Sequence, residues 1–498
     1  MMLEKLILTD EIRNDPYPEN HPWSIRVKDN YGNGSITITQ GGFGARPIFI
    51  GHNGNNTYLS SNFADVAGRV GTLSPSPEGR MELLMFGHVA GERTLFSQIE
   101  RLPAGDKHKI SAEGIYSEWT DQVADYGTTN VQTTADVFIQ RLQKRTLNKP
   151  TGWLPLTGGI DSRTIASSLV DTPGIRAYTR GDSTHPEVVH AAKIARILQI
   201  NHYPMPFTPH YLERNHAEIL NLTGGMVSLD HSHAIHPLKD LKRLSIGIAI
   251  PGTNGEYGRV FWTMDSNNSK YPTDEQTAQS LYERQTSGKK NRYPSLLTPE
   301  AASVVETCRQ RYIERYCRTA ECARYQHPIS WNDEFYLRDR LRSFSVFGAV
   351  IWGSYFSLEL PFLEYDYVQH VRALPPGLRT GPKLHCEIIR RSQPKLLSVP
   401  LYPSGTLLQP CFCGSLRSCI RRGLMKQKEQ KHVQNYAHWL RMEKNFIEPF
   451  IQKVHQSFCG LVDDAIVKKL WKEHLAGVDH HRILWRLITP AMVDTLFT

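Results

Sequence analysis

The chain has 498 residues, of which 40% are hydrophobic and 21% are charged, and it carries a formal net charge of +9. This length exceeds what one ordinary hydrophobic core organises, so we expect two domains. No apolar run reaches membrane-spanning length, and residues 1–5 lack the features of a signal peptide. The sequence therefore excludes a membrane-embedded class and predicts a cytoplasmic protein without a membrane partner.

The N-terminal part is predicted to be rich in β-strands. Residues 35–39 alternate polar and apolar side chains as a half-buried strand does. Farther on, the Asn53-Gly54 pair lies between two short apolar segments and predicts a tight hairpin turn. We therefore expect a β-rich domain over residues 1–125, followed by a linker over residues 126–150.

The pattern changes beyond the linker to alternating strands and helices. Strands are predicted at residues 154–156, 175–180 and 246–250, with an amphipathic helix at 186–199. Such alternation predicts a parallel sheet with helices on both faces. From about residue 299 to the end we expect mainly helices.

A glycine-rich turn connects the first of these strands to the helix after it. It consists of Thr157, Gly158, Gly159, Ile160, Asp161 and Ser162. Glycine tolerates positive φ and lets the backbone approach a ligand closely, and the N–H groups of a helix N-terminus favour an anion. Two hydroxyls add donors, and Asp161 adds a carboxylate suited to Mg²⁺. The turn therefore predicts a phosphate site, although its spacing is not that of a Walker loop.

A second glycine-containing turn follows the predicted strand at 246–250. It contains Gly252, Gly255, Glu256 and Arg259. Because Asp161 and Glu256 would then lie on neighbouring strand ends, the two carboxylates could share the metal ions that bridge the phosphates of a nucleotide.

Several segments resemble a known family. Residues 157–162 resemble the Ser-Gly-Gly-x-Asp-Ser loop of PP-loop ATP pyrophosphatases, and residues 251–259 resemble the Gly-x-Gly-x-Asp-Glu loop of asparagine synthetases. Residues 359–366 resemble that family's Arg-x-Pro-Phe-Leu-Asp segment. Three further segments resemble the later part of the glutaminase domain of asparagine synthetases, namely residues 44–50, 59–62 and 96–106. The chain is identified as a divergent member of the asparagine synthetase-like family, related to β-lactam synthetases and lasso-peptide macrolactam cyclases.

The resemblance implies both a fold and a reaction. The implied fold begins with a truncated β-rich Ntn-type domain. An α/β synthetase domain of the adenine nucleotide alpha hydrolase-like type follows it in sequence, over residues 151–498. The reaction uses ATP and Mg²⁺ to activate a small-molecule or peptide carboxylate as an acyl-adenylate, releasing pyrophosphate and AMP when an amine forms the amide. Because no cysteine precedes Cys308, we expect no glutamine hydrolysis, and the amine would be free, tethered to the substrate, or ammonia.

The resemblance also implies site residues. Those expected to contact the nucleotide are Thr157, Gly158, Gly159, Asp161, Ser162, Thr179, Gly252 and Gly255. Asp161 and Glu256 are expected to hold the metal and to take part in catalysis. The family carries a lysine farther on that this chain lacks near Tyr402, so Arg163 and Arg259 are the candidates for a catalytic cation.

Other interpretations remain open. The reaction could be that of a lasso-peptide cyclase or of an ammonia-dependent asparagine synthetase-like enzyme. A nucleotide-binding protein without catalysis would explain the missing lysine, and an RNA-modifying PP-loop enzyme would explain the basic charge. The basic segment 417–431 is more simply a solvated helix face than a nucleic-acid site, and a partner protein could also bind there.

Overall fold

The protein is described here as a computed structural model. The described residues are 5–30, 35–120, 127–147, 149, 151–170, 172–208, 210–231, 233–244, 247–259, 274–286, 294–322, 328–408 and 435–498. The basic segment 417–431 and the expected domain boundary at residues 125 and 126 lie outside these ranges.

Two four-stranded sheets form the N-terminal part. Their strands are β1 (Lys5–Leu8), β2 (Ile25–Asn30), β3 (Ser35–Gln40), β4 (Phe49–Asn53), β5 (Asn56–Ser60), β6 (Ile99–Arg101), β7 (Lys107–Ser111) and β8 (Gly114–Glu118). One sheet has the order β1-β5-β4-β6, with β1 parallel to β5, and the other has the antiparallel order β2-β3-β7-β8. The expected hairpin turn at Asn53-Gly54 is the connection between β4 and β5.

An aliphatic cluster lies between these two sheets. Ile36 and Ile38 of β3 and Ile110 of β7 pack in the same cluster as Ile50 of β4 and Leu59 of β5. Alternate residues of a strand point to one face, which explains why β3 buries isoleucines two residues apart. Three helices accompany the sheets, namely α1 (Asp10–Arg13), α2 (Phe63–Val70) and α3 (Pro77–Phe86).

The expected parallel sheet is confirmed, and it contains five strands. They are β9 (Gly152–Pro155), β10 (Ile175–Arg180), β11 (Asn201–Met205), β12 (Ile248–Ala249) and β13 (Ser357–Leu358). Their order is β11-β10-β9-β12-β13, and every neighbouring pair is parallel. The chain steps outward from β9 to β11 and then returns to the other side of β9, so the strand order reverses between β9 and β12. Open α/β sheets bind ligands at such a reversal, beyond the carboxyl ends of the strands.

Both faces of this sheet are covered. Trp153 and Leu154 are consecutive residues of β9 and both are buried, as are Ala177 and Tyr178 of β10. Consecutive strand residues point to opposite faces, so continuous burial indicates packing on each side, as parallel sheets require. The helix α4 (Val131–Thr146) precedes β9, and the helices between β9 and β12 are α5 (Ile160–Ser167), α6 (Pro186–Leu198), α7 (Tyr211–Thr223) and α8 (Leu238–Leu244).

The expected helical C-terminal part is also confirmed. The helix α9 (Asp274–Thr286) precedes it, and its own helices are α10 (Ala301–Cys322), α11 (Pro328–Phe335), α12 (Val346–Gly353), α13 (Tyr365–Ala373), α14 (Pro376–Arg379), α15 (Lys383–Ser392), α16 (Tyr436–Met442), α17 (Lys444–Ser457), α18 (Asp464–Leu475) and α19 (His481–Phe497). A π-helix, Tyr336–Ser345, joins α11 to α12. None of the described helices has the length and apolar character needed to cross a membrane.

The β-rich part packs directly on the helical part. Phe63 of α2 meets Phe497 at the end of α19, with the two ring centroids 5.2 Å apart. Arg80 of α3 is buried and forms an ion pair with Asp494 of α19. The largest hydrophobic cluster accordingly runs from α2 and α3 through the parallel sheet to α19.

Candidate functional site

The two glycine-containing turns meet at the strand-order reversal. The first follows β9 and leads into α5, and the second follows β12. A Cβ atom built on Gly255 would lie 2.6 Å from Asp161 Cγ, and one built on Gly252 would lie 3.6 Å from Asp161 Cβ. Real Cβ atoms do not approach to 2.6 Å, so only glycine fits at position 255. Residues about 90 positions apart in sequence are thus brought into contact, as the strand pattern predicts.

Hydroxyl groups brace the first turn. The Thr157 and Ser162 Oγ atoms are 3.0 Å apart, and Ser162 Oγ also accepts a hydrogen bond from the Thr157 N–H. Thr157 Oγ1 accepts from the Gly159 N–H at 3.2 Å. No side chain caps the N-terminus of α5, where Gly159 is the N-cap residue. The first-turn N–H groups of this helix are therefore not capped from within the described chain.

The two glycines of the first turn serve close packing. Neither uses the positive φ that glycine tolerates, because Gly159 has φ −74° and Gly158 also lies outside the left-handed region. A Cβ on Gly158 would lie 2.3 Å from Tyr402 Cβ, and the Tyr402 N–H donates to the Gly158 carbonyl. The segment at Tyr402 therefore lies against this turn and leaves no room for a side chain at Gly158.

Asp161 lies between a cation and an imidazole. Arg259 Nη2 donates to Asp161 Oδ2 at 2.9 Å, and the two side chains are 26% and 28% exposed. His385 Nε2 lies 3.2 Å from Asp161 Oδ1. That separation is short enough for an ion pair, but the angle does not make a hydrogen bond, so neither atom has a hydrogen-bond partner among the described residues.

Unpaired polar atoms concentrate at this junction. The buried side-chain atoms without a hydrogen-bond partner in the described ranges include Asp161 Oδ1, Asn254 Oδ1, Tyr257 Oη, Arg259 Nε, Tyr367 Oη and both ring nitrogens of His385. Each such atom costs about 1–3 kcal/mol when nothing satisfies it, which is why proteins keep few of them. Their concentration beside Asp161 indicates a place where a polar ligand would bind.

The phenol groups at this junction are donors. Burial, followed by the charge of Asp161, raises the pKa of Tyr367 above its ordinary value. Burial likewise raises the pKa of Tyr257. Both hydroxyls therefore stay protonated at neutral pH, and both can donate a hydrogen bond to an anionic group.

Glu256 is hydrogen-bonded to the π-helix. Tyr336 donates a hydrogen bond from its hydroxyl to Glu256 Oε1. Burial, with a further contribution from Glu256, raises the pKa of Tyr336 well above its ordinary value. Among the described residues, no group of three or more His, Cys, Asp or Glu side chains is arranged to hold a metal ion. Glu256 thus lies in the same turn as Arg259, and its Oε1 is hydrogen-bonded to the π-helix.

Arg163 is a structural residue in this geometry. Its side chain is 0% exposed, and its guanidinium donates to the carbonyls of Leu396, Val399, Gly158 and Pro400. Burial lowers its pKa to about 10, so the group remains charged at neutral pH. Because its N–H groups are directed at backbone carbonyls, Arg163 fastens the 396–400 segment to the glycine turn, and Arg259 remains the candidate cation.

Thr179 is engaged in the sheet. Its hydroxyl donates to the Leu156 carbonyl at 2.6 Å and lies 2.7 Å from His202 Nε2. The Thr179 hydroxyl, which was predicted to contact the nucleotide, is thus already engaged by Leu156 and His202. Directly beyond the ends of β10 and β11 lies a cavity of about 390 Å³, lined by residues that include Gly181, Asp182, Phe207 and Trp439.

Sequence reasoning missed several residues of this site. His385 and Tyr367 come from α15 and α13, and Tyr402 follows them, all more than 200 positions after Asp161. No motif marks them, because their place at the site depends on how the helical part folds back on the sheet. Their only sequence signal is their proximity to segments that resemble the synthetase family.

Comparison with known proteins adds no relative. A scan against models of protein families finds no match, and a search of curated proteins finds no significant one. What distinguishes this site is its own geometry: a braced glycine turn, an uncapped helix N-terminus and a carboxylate with one unpaired oxygen.

Proposed function

We propose that this chain is an ATP-dependent amide ligase of the asparagine synthetase-like, PP-loop type, with a degenerate Ntn-type N-terminal domain. It would activate a carboxylate as its acyl-adenylate and release AMP and pyrophosphate. The single observation that carries the proposal is the unpaired Asp161 Oδ1 beside the glycine turn, at the reversal of strand order.

The first turn of α5 has the features of a phosphate site. Its N-terminal N–H groups have no side-chain cap, and the helix dipole favours negative charge there. The hydroxyls of Thr157 and Ser162 lie at the same place. These groups would bind and orient the phosphates of ATP, which fixes where the carboxylate must approach.

The residues present fit one protein contact to Mg²⁺. Mg²⁺ keeps several waters and takes one or two carboxylates together with substrate phosphates, so the free Oδ1 of Asp161 suffices as a first ligand. Glu256 could contribute its second oxygen, because Tyr336 donates to Oε1 alone among the described contacts. When bound, Mg²⁺ would neutralise charge on the phosphates.

Arg259 is the cation that supports this function. It is partly exposed, its Nε is unpaired, and its only partner among the described side chains is Asp161. An anion at the glycine turn would compete with Asp161 for this guanidinium. A positioned cation near developing phosphate charge contributes several kcal/mol to catalysis.

The cavity beyond β10 and β11 suits the rest of the nucleotide. His185 lines it, and the ring centroid of His185 lies 6.3 Å from that of Tyr402, which packs on Gly158. Phe207 and Trp439 offer aromatic faces for a base. The amine would be free, or ammonia, or carried by the substrate itself, in which case the product is a lactam or macrolactam.

The test is release of pyrophosphate and AMP from Mg-ATP by wild type and by Asp161→Ala. The substrates are a pool of carboxylates, amino acids and peptides, with and without added amines. We expect both products with wild type and one substrate class, and at least a 100-fold lower rate with Asp161→Ala, corresponding to about 3 kcal/mol. Release of ADP and phosphate instead would overturn cleavage between the α and β phosphates.

A second candidate is a nucleotide-binding protein without catalysis. It is favoured by two contacts. Glu256 accepts a hydrogen bond from Tyr336, and Asp161 is the carboxylate that is paired with Arg259 among the described residues. This protein would bind ATP at the glycine turn and release no pyrophosphate with any substrate class. Calorimetric titration of ATP alongside the product assay separates the two candidates.

A further inference from the structure

We propose that His385 is a positioning residue for Asp161. Its Nε2 lies 3.2 Å from Asp161 Oδ1 and would donate a hydrogen bond to it after a small reorientation, so that the carboxylate keeps its orientation when Arg259 turns to an anionic ligand. The catalytic consequence rests on the proposed function, but the contact itself can be measured in the protein without nucleotide.

The position of His385 is fixed by packing. It lies in the first turns of α15, where Leu384, Ile388 and Ile389 are fully buried, and its own exposure is 0%. A Cβ on Gly258 would lie 3.2 Å from His385 Cε1 and 2.8 Å from Tyr367 Oη. The absence of a side chain at Gly258 therefore lets the second turn lie directly on this imidazole, beside Asp161.

His385 differs from other buried histidines of the chain. His474 is equally buried, but its Nε2 is paired with the Ala437 carbonyl and its Nδ1 accepts from the His480 N–H. His108 is also fully buried, and its nitrogens meet Ser117 and Gln40. Among the described residues both nitrogens of His385 lack such partners, and Nε2 lies 3.2 Å from Asp161 Oδ1.

This arrangement matters because Asp161 has only one other described partner. Arg259 holds Oδ2, and both of these side chains are partly exposed, so an arriving anion can draw Arg259 away. The terminal torsion of an aspartate has a broad energy well, so a carboxylate held by nothing rotates freely. A buried imidazole at Oδ1 limits that rotation, and because a carboxylate oxygen offers two lone pairs, Oδ1 can accept from the imidazole and still bind the metal.

The contact is tested first by NMR of ligand-free protein labelled with ¹⁵N-histidine. The His385 imidazole signals are assigned as those lost in His385→Gln. We expect Asp161→Ala to shift the His385 Nε2 resonance, while Glu256→Gln, which removes a carboxylate charge from the same junction, leaves it in place. An unchanged His385 resonance in Asp161→Ala would overturn the proposal.

The consequence is tested by the rate of pyrophosphate release at saturating Mg-ATP. His385→Leu should lower kcat about 10- to 100-fold, the range for a lost hydrogen bond to a charged group, with KM for ATP little changed. His385→Gln, which keeps an N–H donor, should restore most of that rate. His474→Gln is the matched control, because it removes an equally buried histidine outside the site.

Equal losses of kcat in His385→Leu and His474→Gln would show a merely structural role and overturn the proposal. If Asp161→Ala shifts the His385 signal but wild type releases no pyrophosphate with any substrate, the contact stands and the proposed ligase function fails. The two failures are thereby distinguished.

Discussion

The two arginines next to the glycine turns have opposite surroundings. Arg163 is enclosed and donates to four carbonyls, whereas Arg259 is partly exposed and faces one carboxylate. Burying unpaired carbonyls is costly, while a half-exposed ion pair is worth about 1 kcal/mol or less. The first residue should therefore matter to stability and the second to ligand binding.

We predict that Arg163→Met lowers the free energy of unfolding by about 3 kcal/mol or more, because its carbonyl partners stay buried without donors. Arg259→Met should change it by about 1 kcal/mol or less and weaken ATP binding instead. Urea denaturation and calorimetric titration of both variants check this. Equal destabilisation by the two substitutions would contradict the assignment of roles.

At the residue scale, the sequence predicts site residues that belong to one short motif, but it does not predict contacts between residues far apart in the chain. The two glycine-containing turns, Asp161 and Arg259 were predictable because strand ends of a parallel sheet converge. The contact of His385 with Asp161 and the carbonyl partners of Arg163 at 396–400 were not, since His385 and that segment follow the first turn by more than 200 residues. The hydrogen bond from Tyr336 to Glu256 was not predictable either, because the tyrosine belongs to a segment with no recognisable pattern.

At the scale of elements, β7 contains a histidine that links three strands. His108 Nδ1 lies 2.7 Å from Ser117 Oγ of β8, and Nε2 lies 3.0 Å from Gln40 Oε1 of β3. Burial, followed by the charge of Arg342, lowers the pKa of His108 to about 3. The imidazole is thus neutral in the folded sheet over the whole range in which unfolded histidine gains its proton.

We predict that this residue makes stability fall as pH drops from about 6.5 toward 3. In that window the unfolded chain binds a proton at His108 that the folded chain does not, which costs about 1.4 kcal/mol per pH unit. His108→Gln should lose less stability between pH 7 and pH 5 than wild type, by about 2 kcal/mol. Urea denaturation at both pH values measures the difference, and parallel curves for the two proteins would refute it.

The boundaries of helices and strands are also predicted best where the pattern lies within one segment. The strand predicted at 175–180 is β10 (Ile175–Arg180), and the helix predicted at 186–199 is α6 (Pro186–Leu198), because their patterns are complete within one segment. β13 was not foreseen within the helical part. It has only two residues, Ser357 and Leu358, and exists as a strand because β12 lies beside it.

At the scale of the whole molecule, the β-rich and helical parts share a buried ion pair. Arg80 is 0% exposed, and its guanidinium donates to both carboxylate oxygens of Asp494, whose side chain is 18% exposed. The rings of Phe63 and Phe497 meet nearby. Because these contacts cross from one part to the other, we expect the two parts to unfold together.

We predict that Asp494→Ala lowers the free energy of unfolding by about 3 kcal/mol, because it leaves the buried guanidinium of Arg80 without its counter-charge. Asp136→Ala is the matched control, since Asp136 also forms a two-point pair, with Arg391, but on the exposed surface. That control should cost about 1 kcal/mol or less. Calorimetry should show one transition in each protein; separate transitions for the two parts would contradict shared unfolding.

The π-helix Tyr336–Ser345 has a consequence for how the chain tolerates insertions and deletions. Near its start Tyr336 donates to Glu256, and farther along Arg342 donates to the carbonyls of Gly44, Leu102 and Pro103 in the β-rich part. An i→i+5 helix fits more residues into each turn than an α-helix. Losing one residue would change the angular phase between these two side chains, so both could no longer meet their partners. The number of residues in this segment, and not only their identity, therefore couples the β-rich part to the edge of the sheet where Asp161 lies.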